Sequence, residues 1–368
     1  MPSLPAFLRL ASLIAVAVAI PSQTDTAKRA TCTVNSVSSA SGLSSCTAVI
    51  IEAFTVASGE TVTIEAASGA TVTMTGDITF DKTTSAGPLF TLDTTNVVFN
   101  GGNHNINGNG ALYWDGQGTN GGVAKPHPFI KFKGSGTFED VTVLNSPAQA
   151  ISVGTTGTAV ITNVNVNNAA GNTNALGANT DGFDVEGDDI SIVGGTVNNQ
   201  DDCVAINGGD TITIDNLTCI GSHGISIGSI ATGKSVSNVK IGDNTITGGL
   251  YGLRLWGHLR RVSVALFLHR LLILIRRFSN KISGITEYGV LITQSYPDND
   301  STPGTGAPIT DVTFSGTTTS VSVDSDAFTL VVDCGACSGT WNFGSLDASG
   351  GKGHIIAAND ATIEGGTY

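Results

Sequence analysis

The chain has 368 residues, 47 of them glycine, with charged side chains at only 13% and a formal net charge of −13. A surface this acidic does not suit a polyphosphate, which excludes nucleic acid as a partner. Strong helix formers are scarce beside Thr, Ser, Asn, Val and Ile, so a helical bundle is excluded and a large all-β domain is expected.

At the N-terminus, Arg9 precedes an apolar run from Leu10 to Ile20, and Ala17-Val18-Ala19 forms a small-x-small cleavage site. The expectation is a signal peptide over 1–19 and a pro-segment over 20–29 ending at the dibasic Lys28-Arg29. An exported, extracellular domain over 30–368 follows. The apolar run is too short to span a bilayer, so no stable membrane association is expected. In an exported chain the six cysteines should pair. Proximity suggests Cys32–Cys46, Cys203–Cys219 and Cys334–Cys337, the middle pair stapling one coil to the next. Asn216-Leu217-Thr218 and Asn299-Asp300-Ser301 are glycosylation sequons.

Ser45–Phe54 reads as a helix with Ser44 or Ser45 as its N-cap, covering the open end of a sheet stack. After it, short apolar pieces recur between Gly/Asn turns, among them Val97–Phe99, Phe138–Leu144, Val160–Val166, Ile190–Val193 and Val236–Ile241. Shorter pieces alternate with them: Ala150–Val153, Phe183–Val185, Val204–Ile206 and Ile225–Ile227. Several of the longer pieces end in an Asn cadence, as in Asn163-Val164-Asn165 and Asp215-Asn216-Leu217. Repeats of two or three strands indicate a solenoid, and a parallel β-helix is the reading preferred over a sandwich or propeller.

Residues 256–278 break the style. WGHLRRVSVALFLHRLLILIRRF has one Gly, no Asn and no Thr, and reads as a basic amphipathic helix. The abrupt change, with a return to solenoid composition at Ser279, points to an unspliced intron or frame slip in the gene model.

The chemistry concentrates between Asn179 and Gly224, in Asn179-Thr180-Asp181, Gln200-Asp201-Asp202-Cys203 and Gly221-Ser222-His223-Gly224. From Asp181 to Asp201 is 20 residues and from Asp202 to His223 is 21, about one coil each. Stacked coils would bring three carboxylates and an imidazole to one patch. Glycoside hydrolysis needs a protonated carboxyl for the leaving oxygen and a carboxylate for water or direct attack. Crowding raises at least one of the pKa values. Neighbouring Asp201 and Asp202 reach the same patch only if the backbone bends there. Taken alone, the Asp pair would equally suit a solvated turn or a calcium site. His223 would hold a neighbouring Asp or stay cationic beside it. Arg254 suits a substrate carboxylate, and Tyr288 could pack on a sugar face.

NTDGFDV, NNQDDCVAIN, GSHGISIGS and YGLR, in this order and spacing, resemble glycoside hydrolase family 28, the polygalacturonases, especially fungal endo-acting ones. Residues 101–129 resemble the block that precedes the catalytic coils there. The resemblance implies a single-stranded right-handed parallel β-helix that hydrolyses α-1,4-galacturonosyl linkages in pectin with inversion, as a monomer without cofactor or metal. It also implies Asp201 as general acid and Asp181 and Asp202 as the groups that hold and activate water. His223 would support them, with Arg254, Tyr288 and Asn179 as substrate contacts. Two departures stand out. Arg254-Leu255-Trp256 replaces the family's Arg-Ile-Lys, removing a cation, and the chain stops at Tyr368 without the usual terminal Cys pair, which suggests truncation. Alternatives are an exo-acting polygalacturonase, a calcium-dependent pectate lyase, and a polysaccharide-binding solenoid without turnover.

Overall fold

In a computed structural model of the chain, the described residues are 30–231, 233–258, 272–276, 279–296 and 302–368. The expected signal peptide and pro-segment, and the sequon at Asn299, lie outside them.

Among the described residues the strands stack in parallel, in one set of 11 and a continuous set of 23 that wraps the remaining two faces. The chain forms a right-handed parallel β-helix, as expected. Most strands are short and pair in parallel with their counterparts one coil away, some across a local register shift, so backbone donors and acceptors are used between coils. Side chains alternate inward and outward: Ile190 and Ile192 are buried while Ser191 and Val193 are partly exposed. Register then aligns the inward residues into files. Ile151, Phe183, Val204, Ile225, Leu253, Val290 and Leu330 form one such file, all buried. Lower in the stack, Phe99 and Phe138 lie with ring centroids 4.7 Å apart.

The Asn cadence has a conformational cause. One corner of the coil is turned by two residues, the first of them left-handed. Asp140, Asn163, Gly194, Asn216 and Asp243 hold that place in successive coils, with φ of 54, 52, 70, 53 and 54°. Gly has no Cβ to clash there, and the short polar side chains of Asn and Asp tolerate it best among the others. In the later coils the second residue of this same corner is a buried Asn. Asn244 accepts from Leu217 N at 2.8 Å and donates to Ile214 O at 3.1 Å, and Asn280 repeats the pattern one coil on.

The expected capping helix over Ser45–Phe54 is absent. Its place is taken by the strand Ala48–Ile51, preceded by two single 3₁₀ turns, Ser38–Ala40 and Leu43–Ser45. Val49-Ile50-Ile51 is a β-branched run whose Val49 and Ile51 alternate into the core, and burial outweighs the Ser cap signal.

The odd segment is also different at its edges. Trp256 lies within the strand Tyr251–His258, and Leu272–Arg276 is a strand that pairs in parallel with Ile309–Ser315. Both ends therefore join the stack rather than a helix; 259–271 and 277–278 lie outside the described residues. The cysteines pair as expected. Cys203–Cys219, however, crosses the interior within one coil, from the bend at Asp202 to the strand Thr218–Ile220, instead of joining two coils.

Candidate active site

One face of the stack carries the site. Two residues before the aligned Phe183, Val204, Ile225 and Leu253 come Asp181, Asp202, His223 and Tyr251, so these four occupy equivalent places in four successive coils. Tyr251 in turn aligns with Tyr288, and Tyr288 with Phe328. Beside this column runs the outward file of the same strands: Lys131, Ser152, Asp184, Ala205, Ser226, Arg254 and Leu291. The backbone bends at Gln200–Asp201 just before the strand Val204–Asp215, which lets Asp201 reach the same patch as Asp202. Ligating atoms of Asp201, Asp202 and His223 lie within 4.8 Å of one another.

The two neighbouring aspartates have different partners. Asp201 Oδ1 lies 3.1 Å from His223 Nδ1 and accepts from the backbone N of Asp202 at 2.8 Å. Its Oδ2 accepts from Asn179 Nδ2 at 3.1 Å. Burial pushes its pKa up, but His223, the backbone N–H of Asp202 and the charge of Arg254 hold it below the usual carboxylate range. Asp202 accepts on Oδ1 from Arg254 Nη2 at 2.5 Å and from Ser226 Oγ at 2.9 Å. Burial nevertheless pushes its carboxyl up to about 6, against the attraction of Arg254.

Asp181 is raised well above the ordinary range by burial, and secondly by the charges of Asp201, Asp184 and Asp202. No donor among the described residues reaches its Oδ1. Asp184, raised to about 7 by burial and by Asp202 and Asp201, is a fourth carboxyl of the cluster that sequence reasoning missed. It lies three residues after Asp181, on the outward side of a strand whose Phe183 and Val185 point inward, and that alternation was the available signal. Ser226 and Lys131 in the outward file were missed as well.

Arg254 is buried, only 3% of its side chain being exposed. Besides Asp202, it donates from Nε to Ser226 Oγ at 3.1 Å, and its Cζ lies 3.5 Å from the Trp256 ring centroid and 4.5 Å from that of Tyr251. It thus has a carboxylate partner within the protein. Tyr288 stacks between Tyr251 and Phe328, at 5.8 and 6.2 Å. Asn179 contacts Asp201. Asn216, at its left-handed corner, is exposed and remote from this face. A hard cation such as calcium prefers an all-oxygen shell. An imidazole on Asp201 and a guanidinium on Asp202 do not fit that requirement.

Comparison with known proteins places this geometry. The family model for glycosyl hydrolases family 28 matches residues 46–363. Endopolygalacturonase I of Aspergillus niger is 37% identical over 360 residues, covering 93% of each chain. An endo-polygalacturonase of Sclerotinia sclerotiorum is 39% identical over 320 residues, covering 84% of this chain and 80% of that one. Endopolygalacturonase I from Stereum purpureum, solved with two galacturonates, superposes with a TM-score of 0.88 and 51% identity over 92% of this chain and all of that one. With parallel coils, clustered aspartates and a family match over most of its length, the chain belongs to glycosyl hydrolases family 28.

Proposed function

We propose that the protein is a secreted endo-polygalacturonase that hydrolyses α-1,4-galacturonosyl linkages in pectin by single displacement with inversion. The observation that carries this reading is the convergence of Asp181, Asp201, Asp202 and His223 on one face, in a chain similar to endopolygalacturonases along almost its whole length. Inverting hydrolysis needs one carboxyl with a proton to give and another able to activate water.

Asp201 serves as the acid together with His223. His223 Nδ1 lies 3.1 Å from Asp201 Oδ1, so a proton on Nδ1 can pass to the carboxylate, and Asp201 then donates it to the leaving oxygen. Asp202, near 6 and fixed by Arg254 and Ser226, acts with Asp181 as the base. Asp184 lowers the ionisation of the cluster by crowding. Tyr288, Asn179 and the outer edge of Arg254 border the substrate. Lys131, two coils toward the N-terminus from Asp184 and so roughly 10 Å away, would meet the carboxylate of a neighbouring galacturonosyl unit. No cofactor enters this scheme, and a monomer suffices for it. Cleavage of 1–19 and then of 20–29 would release the mature chain, glycosylated at Asn216 and Asn299.

The test is reducing-end release from polygalacturonate with sizing of the products. A spread of oligomers, lost in Asp201→Asn, supports the reading. Monomer alone would make the enzyme exo-acting. Unsaturated products abolished by a chelator would make it a lyase, and binding without release in the parent protein would make it a binding module.

A further inference from the structure

The segment Asp115–Lys125 approaches the site from a distant part of the sequence, and its internal bonding is unusually complete for an exposed loop. Lys125 has only 1% of its side chain exposed, and its Nζ donates to Asp115 Oδ1 at 2.8 Å and to Val123 O at 2.9 Å. Asp115 also accepts from the backbone N of Gln117 at 3.0 Å and of Val123 at 2.6 Å. A buried ammonium needs such a carboxylate to remain charged. Ala175, at the far side, lies against the loop, where Gly116 N donates to Leu176 O at 2.8 Å.

The knot holds the loop tip against a single side-chain atom. Thr119 N at 3.0 Å, Thr119 Oγ1 at 3.3 Å and Asn120 Nδ2 at 3.3 Å all point at Asn179 Oδ1. Three donors on Oδ1 orient the Asn179 amide, since only its oxygen accepts. Its Nδ2 is thereby directed at Asp201 Oδ2, 3.1 Å away. Gly118 makes the approach possible: a Cβ there would stand 2.1 Å from Asn179 Oδ1, and its φ is +55°.

We infer that Asp115–Lys125 is a positioning clamp that fixes the Asn179 amide and, through it, the carboxylate of Asp201. Thr119, Asn120 and Gly118 are positioning residues; none is placed against the reacting bond. The catalytic consequence rests on the reading of Asp201 as proton donor, whereas the clamp itself does not.

The experiment compares the full chain with Thr119→Val/Asn120→Ala and Gly118→Ala. Gly116→Ala is the control: it imposes similar left-handed strain at φ +78° but meets only Ala175 O, at 3.7 Å. Melting is followed from pH 6 down to pH 2, each variant also being made in an Asp201→Asn background. Donation to a carboxylate depresses its pKa, and the associated stability is present at pH 6 and fades as Asp201 is protonated. The clamp variants should melt about 2–4 °C below the parent at pH 6, the gap narrowing toward pH 2 as Asp201 takes up its proton below the usual carboxylate range. In Asp201→Asn that pH dependence should vanish, and Gly116→Ala should show a gap independent of pH. A pH-independent gap in the clamp variants, or the same pH dependence without the Asp201 carboxylate, would overturn the inference. Should Gly118→Ala not fold, the Thr119/Asn120 double variant decides. On polygalacturonate the clamp variants should lose about 5- to 10-fold in kcat, about 1–1.4 kcal/mol in barrier, with KM within about twofold. A parent protein releasing no reducing ends would overturn the polygalacturonase reading instead, leaving the melting comparison to judge the clamp.

Discussion

Replacing Arg254 by Gln separates two roles that the geometry allows it, and the expected effects differ in kind. Its Nη2 lies 2.5 Å from Asp202 Oδ1, and both side chains are almost fully buried. Two unit charges about 4 Å apart attract by roughly 4 kcal/mol at an effective dielectric of 20, equivalent to about three pH units. Water entering the space left by the guanidinium recovers part of this. Asp202 stands near 6 with Arg254 in place, and in the proposed mechanism it has to be ionised to act as the base. The variant should therefore show the acid limb of kcat/KM moved upward by about 1–3 units. Activity at pH 5 should fall about 10- to 1000-fold, and much less at pH 8. The assay is reducing-end release from polygalacturonate between pH 4 and pH 9. Arg254→Lys should restore part of the shift, since it returns the charge without the fork that reaches both Asp202 and Ser226. A loss equal at every pH, with the acid limb unmoved, would refute the pairing role and leave Arg254 acting on substrate alone.

Three further outcomes are expected. In Asp184→Asn, a carboxyl raised to about 7 disappears. The folded protein keeps that proton up to about 7 while the unfolded chain releases it near 3.8, so the associated stability is full at pH 3 and is lost as pH rises through 7. The variant should match the parent at pH 3 and melt above it at pH 8, by up to a few kcal/mol in stability, as read by thermal melts at both pH values. Removing the Cys203–Cys219 bridge by a double Ser substitution frees a loop of sequence separation 16, worth roughly 3 kcal/mol on chain-entropy grounds. The urea midpoint should drop accordingly, and an unchanged midpoint would show that the bend at Asp202 is held by other contacts. Peptide mapping of the purified protein from its source should recover no peptide from 259–271; finding one would show that the odd stretch is translated.

What could be read from the sequence was governed by coil length. Asp181, Asp202 and His223 are separated by 21 and 21 residues, so a constant period exposes their column. The next intervals, to Tyr251, Tyr288 and Phe328, are 28, 37 and 40, because loops of different size enter between the same strands. The column continues in space while its periodicity disappears, and the stacking of Tyr288 between two rings could not be read. The 119–179 contact is further from reach, since nothing local in Thr119 or Asn120 marks Asn179 as their partner. The false helix over Ser45–Phe54 has the opposite origin: a local cap signal was legible, but the core that draws in Val49 and Ile51 was not.

The Asp201-Asp202 pair shows why finding an acidic dipeptide differs from assigning its protons. As adjacent residues of one type they are indistinguishable in sequence, and their mutual repulsion alone would raise either one. The partners that separate them come from other coils: His223 one coil on and Asn179 one coil back for Asp201, Ser226 and Arg254 for Asp202. Asp201 faces an imidazole, a group able to hand a proton over, whereas Asp202 faces a guanidinium that never releases one. In the proposed mechanism, the first arrangement lets a proton be handed over and regained, and the second keeps a carboxylate available for water. Division of labour between the two carboxyls is thus a property of stacking, fixed by which coil lies above and which below.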